Sequence, residues 1–273
     1  MSKKLAIYAV FSVLLTMPFQ GQSFQGRATY ISKSKMQLGS WGARLSEARK
    51  KQIEARLKNR LEKIYFLTFN TLESFFKEDE KIDAISGATD SWGAYFSRGP
   101  QYKNIKERTL VQSQEFYGKR FLVKDNLYDI DWVMSSESKK IGNYTCYKAK
   151  ASVPYIELKW YTFSWSDLRK TPTIAAQNSD DNTISVEAWY APQIPVLHGP
   201  GEFWGLPGLI LEVSFDNTTL LCTEVIINKE KSKTEEINIP SKGQEITKTI
   251  YAETIRKRMQ YFRNNRGGRR TNR

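Results

Sequence analysis

Histidine and cysteine are nearly missing from this chain, which has one imidazole, His198, and two thiols, Cys146 and Cys222, among 273 residues. That scarcity leaves too few nitrogen and sulfur ligands for a zinc, haem or iron–sulfur site, so any metal would have to be held by oxygen. It also restricts a histidine-relayed serine or cysteine nucleophile to whatever His198 can reach. No Gly-x-Ser-x-Gly elbow, Walker loop, His-Glu-x-x-His or dinucleotide fingerprint occurs. The acidic clusters Glu78-Asp79-Glu80 and Asp180-Asp181 lack the alternate-residue spacing of a calcium loop. The expectation is a protein with no cofactor, no metal and no catalytic constellation.

Long apolar runs are absent too. The longest, Leu5 to Met17, spans about 13 residues, where a bilayer-crossing helix needs about 20. Lys3 and Lys4 precede it, and Pro18 and then Gly21-Gln22-Ser23 follow. This is the order of a secretory signal peptide over residues 1–23, so the mature chain is expected to be exported and soluble, periplasmic or associated with an outer membrane. An oxidising compartment allows Cys146 and Cys222 to pair, while two buried free thiols remain the alternative, and spacing does not decide between them.

What the chain has in excess is positive charge, a net +13. Arg256 to Arg273 holds eight cations and no acid, so most of the excess belongs to a short C-terminal extension. Residues 263–273 have no apolar periodicity and read as a mobile basic tail, either merely solvated or drawn to an anionic membrane surface or an acidic partner. The body is not a nucleic-acid-binding surface.

Between these ends, residues 24–262 read as one domain. From Gly26 to Met36 the chain is β-permissive, and Ser40 is a candidate helix cap. Leu45, Ile53, Leu57, Leu61 and Ile64 mark an amphipathic helix over Ala43–Ile64. Tyr65–Phe76 reads as the first long strand and Ile85–Asn104 as a loop. Strand candidates follow at Lys106–Phe116, Lys119–Lys124, Ile130–Met134, Tyr144–Ala151, Tyr155–Phe163, Ile184–Tyr190, Leu209–Phe215 and Leu220–Asn228. Turn chemistry at Tyr117-Gly118, Ile141-Gly142-Asn143 and Asp216-Asn217 separates them, and Thr173–Asn182 reads as an exposed loop. Glu245–Tyr261 is expected to be a C-terminal helix. The fold class is mainly β with flanking helices, an antiparallel curved sheet or partial barrel packed on an amphipathic helix.

The most unusual stretch, Glu187 to Phe215, sets Trp189, Tyr190, Phe203 and Trp204 among Pro192, Pro195, Pro200 and Pro207. It contains Gly205-Leu206-Pro207-Gly208-Leu209-Ile210. Prolines 192 and 195 withhold ladder donors, and Gly205 and Gly208 permit conformations closed to other residues. One reading is a crossover that plugs the end of a curved sheet with aromatics. The other is a groove for an extended peptide, an acyl chain or a partner strand, lined by Trp189, Tyr190, Pro192, Pro195, Trp204, Gly205, Leu206, Pro207, Gly208, Leu209 and Ile210.

The hexapeptide resembles the signature of the GLPGLI family of exported Bacteroidota proteins, whose activity is uncharacterised. Tyr65–Asn70 and Gly142–Ala149 are similar to the family as well. The resemblance implies a β-rich exported protein associated with outer-membrane transport. One departure is Gln193, where the family commonly has an acid; a carboxylate general acid or base there is not available to this chain. The expectation is a non-enzymatic binding or accessory protein of the envelope, carrying an apolar or peptide ligand. The alternatives are a structural partner of an outer-membrane transporter and a carboxylate-dependent hydrolase.

Overall fold

The computed structural model describes residues 24–35, 44–79, 98–163, 182–227 and 237–267. Residues 1–23, read as a signal peptide, most of the Ile85–Asn104 and Thr173–Asn182 loops and the chain after Gly267 lie outside the described residues.

Among these residues twelve strands form one sheet. They are β1 (Gln25–Ser34), β2 (Glu62–Asn70), β3 (Glu73–Glu78), β4 (Gln101–Asn104), β5 (Thr109–Phe116), β6 (Lys119–Asn126), β7 (Val133–Ile141), β8 (Tyr144–Pro154), β9 (Thr183–Ala191), β10 (Leu209–Phe215), β11 (Thr218–Ile227) and β12 (Gln244–Ile246). Helices α1 (Glu47–Leu61), α2 (Tyr155–Lys159) and α3 (Lys248–Gly267) flank it. The strand order is β12-β6-β5-β4-β3-β2-β1-β11-β10-β9-β8-β7. Every pairing is antiparallel except β12 with β6. The sheet is open, with β12 and β7 as its two ends.

The expected fold class holds, and the turn chemistry explains much of it. Tyr117 and Gly118 both take positive φ, 47° and 74°, in the two-residue loop between Phe116 and Lys119, as the twist of a tight hairpin demands. Gly142 does the same between β7 and β8 with φ 56°, and Asp216 between β10 and β11 with φ 51°. Bulges at Thr29/Tyr30, Ile210/Glu212 and Met134/Ser138 bend their strands and raise the local twist. One face is filled by a core that includes Tyr30, Leu67, Phe69, Phe76, Ala188, Leu209 and Val213.

Several expectations are corrected. Tyr65–Phe76 is two strands, because the Asn70 side chain accepts from Leu72 N at 2.8 Å and Glu73 N at 2.7 Å and turns the chain. Gln101–Asn104, read as loop, is β4, fully buried between β3 and β5. Tyr155–Phe163 is not a strand; Pro154 ends the ladder and caps α2, whose Leu158 is buried. Ile130–Met134 is displaced to β7, an edge strand whose polar Ser135–Lys140 stretch hid it. Ser46 caps α1, its side chain accepting from Arg49 N, while Ser40 lies outside the described residues, and Ile64 belongs to β2. The strands are not a simple meander, since β6 and β7 are consecutive in sequence yet lie toward opposite ends of the sheet. The C-terminal helix runs to Gly267, into the stretch read as a mobile tail.

Candidate functional site

Residues 192–208 connect β9 to β10 and lie across the filled face. Ile194 N donates to Ala191 O at 3.1 Å, and Leu209 N donates back to Ile194 O at 3.0 Å. His198 bridges Trp204, Gly205 N donates to Leu197 O at 2.9 Å, and Ile210 N donates to His198 O at 3.0 Å. The segment is thus a folded-back loop pinned by its own backbone. Gly208 has φ 151°, and a Cβ there would sit 2.4 Å from Ala191 O, so the return to β10 requires glycine.

Where this loop meets β4 and β5 the core is polar. Register places Ser74 opposite Lys103 and Gln101 opposite Gln112, all fully buried. Lys103 Nζ donates to Gly199 O at 2.8 Å and Phe203 O at 3.0 Å, which holds the loop's two limbs to β4. Gln101 Nε2 donates to Gln112 Oε1 at 2.8 Å and to Glu202 Oε1 at 3.3 Å. Glu202 forms an ion pair with Arg98 at 2.6 Å, both side chains 7% exposed. Arg98 also donates to Tyr161 Oη at 2.7 Å, tying β4's approach to the turn after α2.

Burial sets the ionisation of this cluster. It lowers Lys103 to about 7, with Glu202 pulling the value up and Arg98 pushing it down. It lowers His198 to about 3, Lys103 adding to the effect. The Asn70 backbone lies near the ring, but neither ring nitrogen has an aligned hydrogen-bond partner among the described residues. His198 is therefore a neutral core imidazole and no general base for a thiol. Burial also raises Cys146 to about 11 and Cys222 to about 12. Both cysteines are free and buried, so they are protonated and unreactive at neutral pH.

The eleven residues read as a groove lining are scattered. Trp189 stands opposite Lys148 and Glu212, with Lys139 Nζ 4.3 Å and Lys148 Nζ 5.4 Å from its ring centroid. Tyr190, paired with Tyr147, points to the other face, and its hydroxyl reaches Met134 Sδ at 3.5 Å. Leu206, Leu209 and Ile210 are fully buried in the main core. Trp204 belongs to a separate cluster with Leu110 and Leu127, its Nε1 donating to Tyr128 O at 2.8 Å. Pro192, Pro195, Gly205 and Pro207 face solvent. Gln193, with its amide nitrogen turned to Thr145 O at 3.0 Å and its oxygen to Thr145 N at 3.2 Å, pairs with backbone as an amide can and a carboxylate cannot.

Sequence reasoning missed Arg98, Gln101, Lys103, Gln112 and Glu202. For Gln101, Lys103 and Gln112 the signal was polar residues on both parities of Gln101–Asn104 and Gln112–Gln114, which a half-buried strand does not need. It also missed the β7 edge, which among the described residues is paired on one side only and exposes Val133 and Met134 at 71% and 59%.

A family model described as "Protein of unknown function (Porph_ging)", from a Bacteroidota-associated family, matches residues 132–212, which run from β7 through the crossover. No curated protein matches the chain. Two solved structures, "Structure of PNGF-II in C2 space group" and "Structure of PNGF-II in P21 space group", are each 17% identical, with TM-scores of 0.49 and 0.47. Each match covers 85% of this chain and 33% of the solved one, so the chain spans about a third of their length. No helix among the described residues is long and apolar enough to cross a membrane.

Proposed function

We propose that this chain is an exported, non-enzymatic accessory protein of a bacterial envelope that accepts an extended strand of a protein partner on the β7 edge. The observation that carries this reading is Val133 and Met134, which lie exposed on a terminal strand whose outer side has no strand neighbour among the described residues. Natural sheets usually blunt such edges with charge, as Glu137, Lys139 and Lys140 do over the rest of β7, and the apolar pair at its start is left open for strand addition. Between the two binding readings, the filled crossover favours docking over carriage of an apolar ligand. The resemblance in sequence points to an outer-membrane transporter as the partner.

A photo-crosslinking residue at Met134 tests it in the native envelope. One defined envelope protein should be captured, and Val133→Lys in the same chain should abolish capture. Equal capture from a crosslinker at Leu72, exposed at the β2–β3 turn, would sink the proposal.

A second reading rests on Tyr117, Tyr261 and Phe262, exposed at 41%, 64% and 36% beside the cations of α3. Tyr117 and Phe262 pack at 5.2 Å between ring centroids. Aromatics ringed by arginine and lysine suit an anionic lipid surface. Flotation with anionic but not neutral vesicles is the expected result, and equal flotation with both refutes it.

A further inference from the structure

A groove with a cavity volume of about 810 Å³ opens between α1 and the sheet. The helix lies against β1 and β2 here. Lys51, Ala55 and Lys58, spaced i, i+4 and i+7, form one stripe of α1 along its upper wall, and the small Ala55 keeps the middle clear. Lys33 and Lys35, at the end of β1, supply the opposing wall.

The floor is the β10–β11 hairpin, where Ser34 and Thr218 share a hydrogen bond of 2.9 Å that either hydroxyl can donate. The Lys35 amide donates to Asn217 O at 2.8 Å and fixes the turn beneath.

Four lysines thus converge on one space with little to neutralise them. Among the described residues none of the four forms an ion pair. Among the described residues two carboxylates reach the lining. Asp216 is taken by Lys159 at 3.1 Å, and Glu62, though opposite Lys33 in the β1–β2 register, does not close on it. A cleft lined by one sign of charge concentrates potential and draws in the opposite ion. Elsewhere on the surface lysines find carboxylates, as Lys63 does with Glu78 at 2.7 Å and Lys139 with Glu212 at 2.8 Å.

We propose that this groove binds a ligand carrying at least two phosphate groups, one held by Lys33 and Lys35 and the other by Lys51 and Lys58. Two lysine pairs on facing walls call for two anionic centres. Phosphate suits them because its oxygens accept several charge-assisted bonds at once and leave room for the floor hydroxyls. The volume lies in the range of small-ligand sites. Such a group comes either from a soluble polyphosphorylated molecule or from the headgroup of a doubly phosphorylated lipid. No lining residue belongs to β7 or β8, so the proposal stands apart from the docking edge.

Titration calorimetry of the full chain with tripolyphosphate tests it, against Lys51→Gln/Lys58→Gln, Lys33→Gln/Lys35→Gln and the tail variant Arg263→Gln/Arg266→Gln/Arg269→Gln/Arg270→Gln. Thermal melts establish that each is folded. Affinity should fall more than fivefold in both groove variants, return in Lys51→Arg/Lys58→Arg and hold in the tail variant. A smaller fall in both groove variants, a loss confined to the tail variant, or no binding by the unaltered chain overturns the proposal. Vesicles of phosphatidylcholine with and without cardiolipin then separate the sources. Cardiolipin-dependent flotation that needs the groove lysines assigns a lipid headgroup, and tripolyphosphate binding without flotation assigns a soluble ligand.

Discussion

Arg98 and Glu202 meet at 2.6 Å with each side chain only 7% exposed, one entering β4 and the other at the fold of the crossover loop. The contact is close but not aligned as a hydrogen bond, and Arg98 Nη1 and Glu202 Oε2 have no aligned partner among the described residues. Two charges removed from water gain from one another roughly what they lose in hydration. Removing one partner strands the other. Arg98→Met and Glu202→Met should each destabilise the fold by about 3–5 kcal/mol, and the double variant should recover most of that loss. Urea unfolding of the four proteins checks it; additive losses would show that the pair is not coupled.

The same cluster makes stability depend on pH in two windows. Lys103 falls to about 7 in the fold, so between 7 and the ordinary lysine value near 10.5 the unfolded chain holds the extra proton. His198 falls to about 3, so between 3 and its ordinary value near 6.5 the unfolded chain again binds more protons. In both windows stability rises with pH. His198 contributes fully above 6.5 and is lost as pH drops toward 3. The free energy of unfolding, followed by urea titration from pH 3 to 10.5, should flatten in the acid window for His198→Phe and in the alkaline window for Lys103→Met. Unchanged slopes would mean that neither group titrates differently on folding.

Much of this fold is written in local chemistry, and much of the polar site is not. Tyr117-Gly118, Gly142-Asn143 and Asp216-Asn217 announce hairpins because few residues accept positive φ, and all three turn as expected. Alternation gives β1, whose Gly26, Ala28, Tyr30 and Ser32 face inward. The crossover's backbone is legible from its prolines and glycines. What sequence does not carry is the partner across space. Lys103 is surface-like in composition and becomes a core residue only because Gly199 O and Phe203 O, some hundred positions away, arrive above it. β7 is polar enough to pass for a loop, since one side of an edge strand has no ladder to satisfy and tolerates Ser135–Lys140. The Tyr155–Lys159 turn of helix carries aromatic and β-branched residues that favour strand, and Pro154 overrides them.

The hexapeptide's roles separate by substitution. Gly208 faces Ala191 O at a distance that admits no Cβ, while Pro207 beside it is solvent-exposed. Gly208→Ala should lower stability by at least about 2 kcal/mol, combining dihedral strain with a backbone clash. Leu206→Ala should cost about 2–5 kcal/mol, as for other fully buried leucines. Pro207→Ala should stay within about 1 kcal/mol of the unaltered chain. Chemical denaturation orders the three. If Pro207→Ala proved the most damaging, the segment would owe its form to chain stiffness and not to close approach.

Tyr117 offers a variant that separates stability from membrane contact. Its φ of 47° places a bulky aromatic where a two-residue hairpin prefers asparagine. Tyr117→Asn should relieve strain of about 1 kcal/mol. Against that, the side chain packs edge-on to Phe116 at 4.7 Å and against Phe262 at 5.2 Å, contacts worth about 0.5–1.5 kcal/mol each. Partial exposure of Tyr117, at 41%, places those contacts toward the lower end, so the two effects nearly offset. The variant should melt within a few degrees of the unaltered protein. Its flotation with anionic vesicles should nevertheless fall several-fold, because an aromatic has left the patch that includes Tyr261 and Phe262. A stabler protein with undiminished flotation would show that the turn tolerates tyrosine for no reason connected with lipid, and the basic helix alone would then account for membrane attraction.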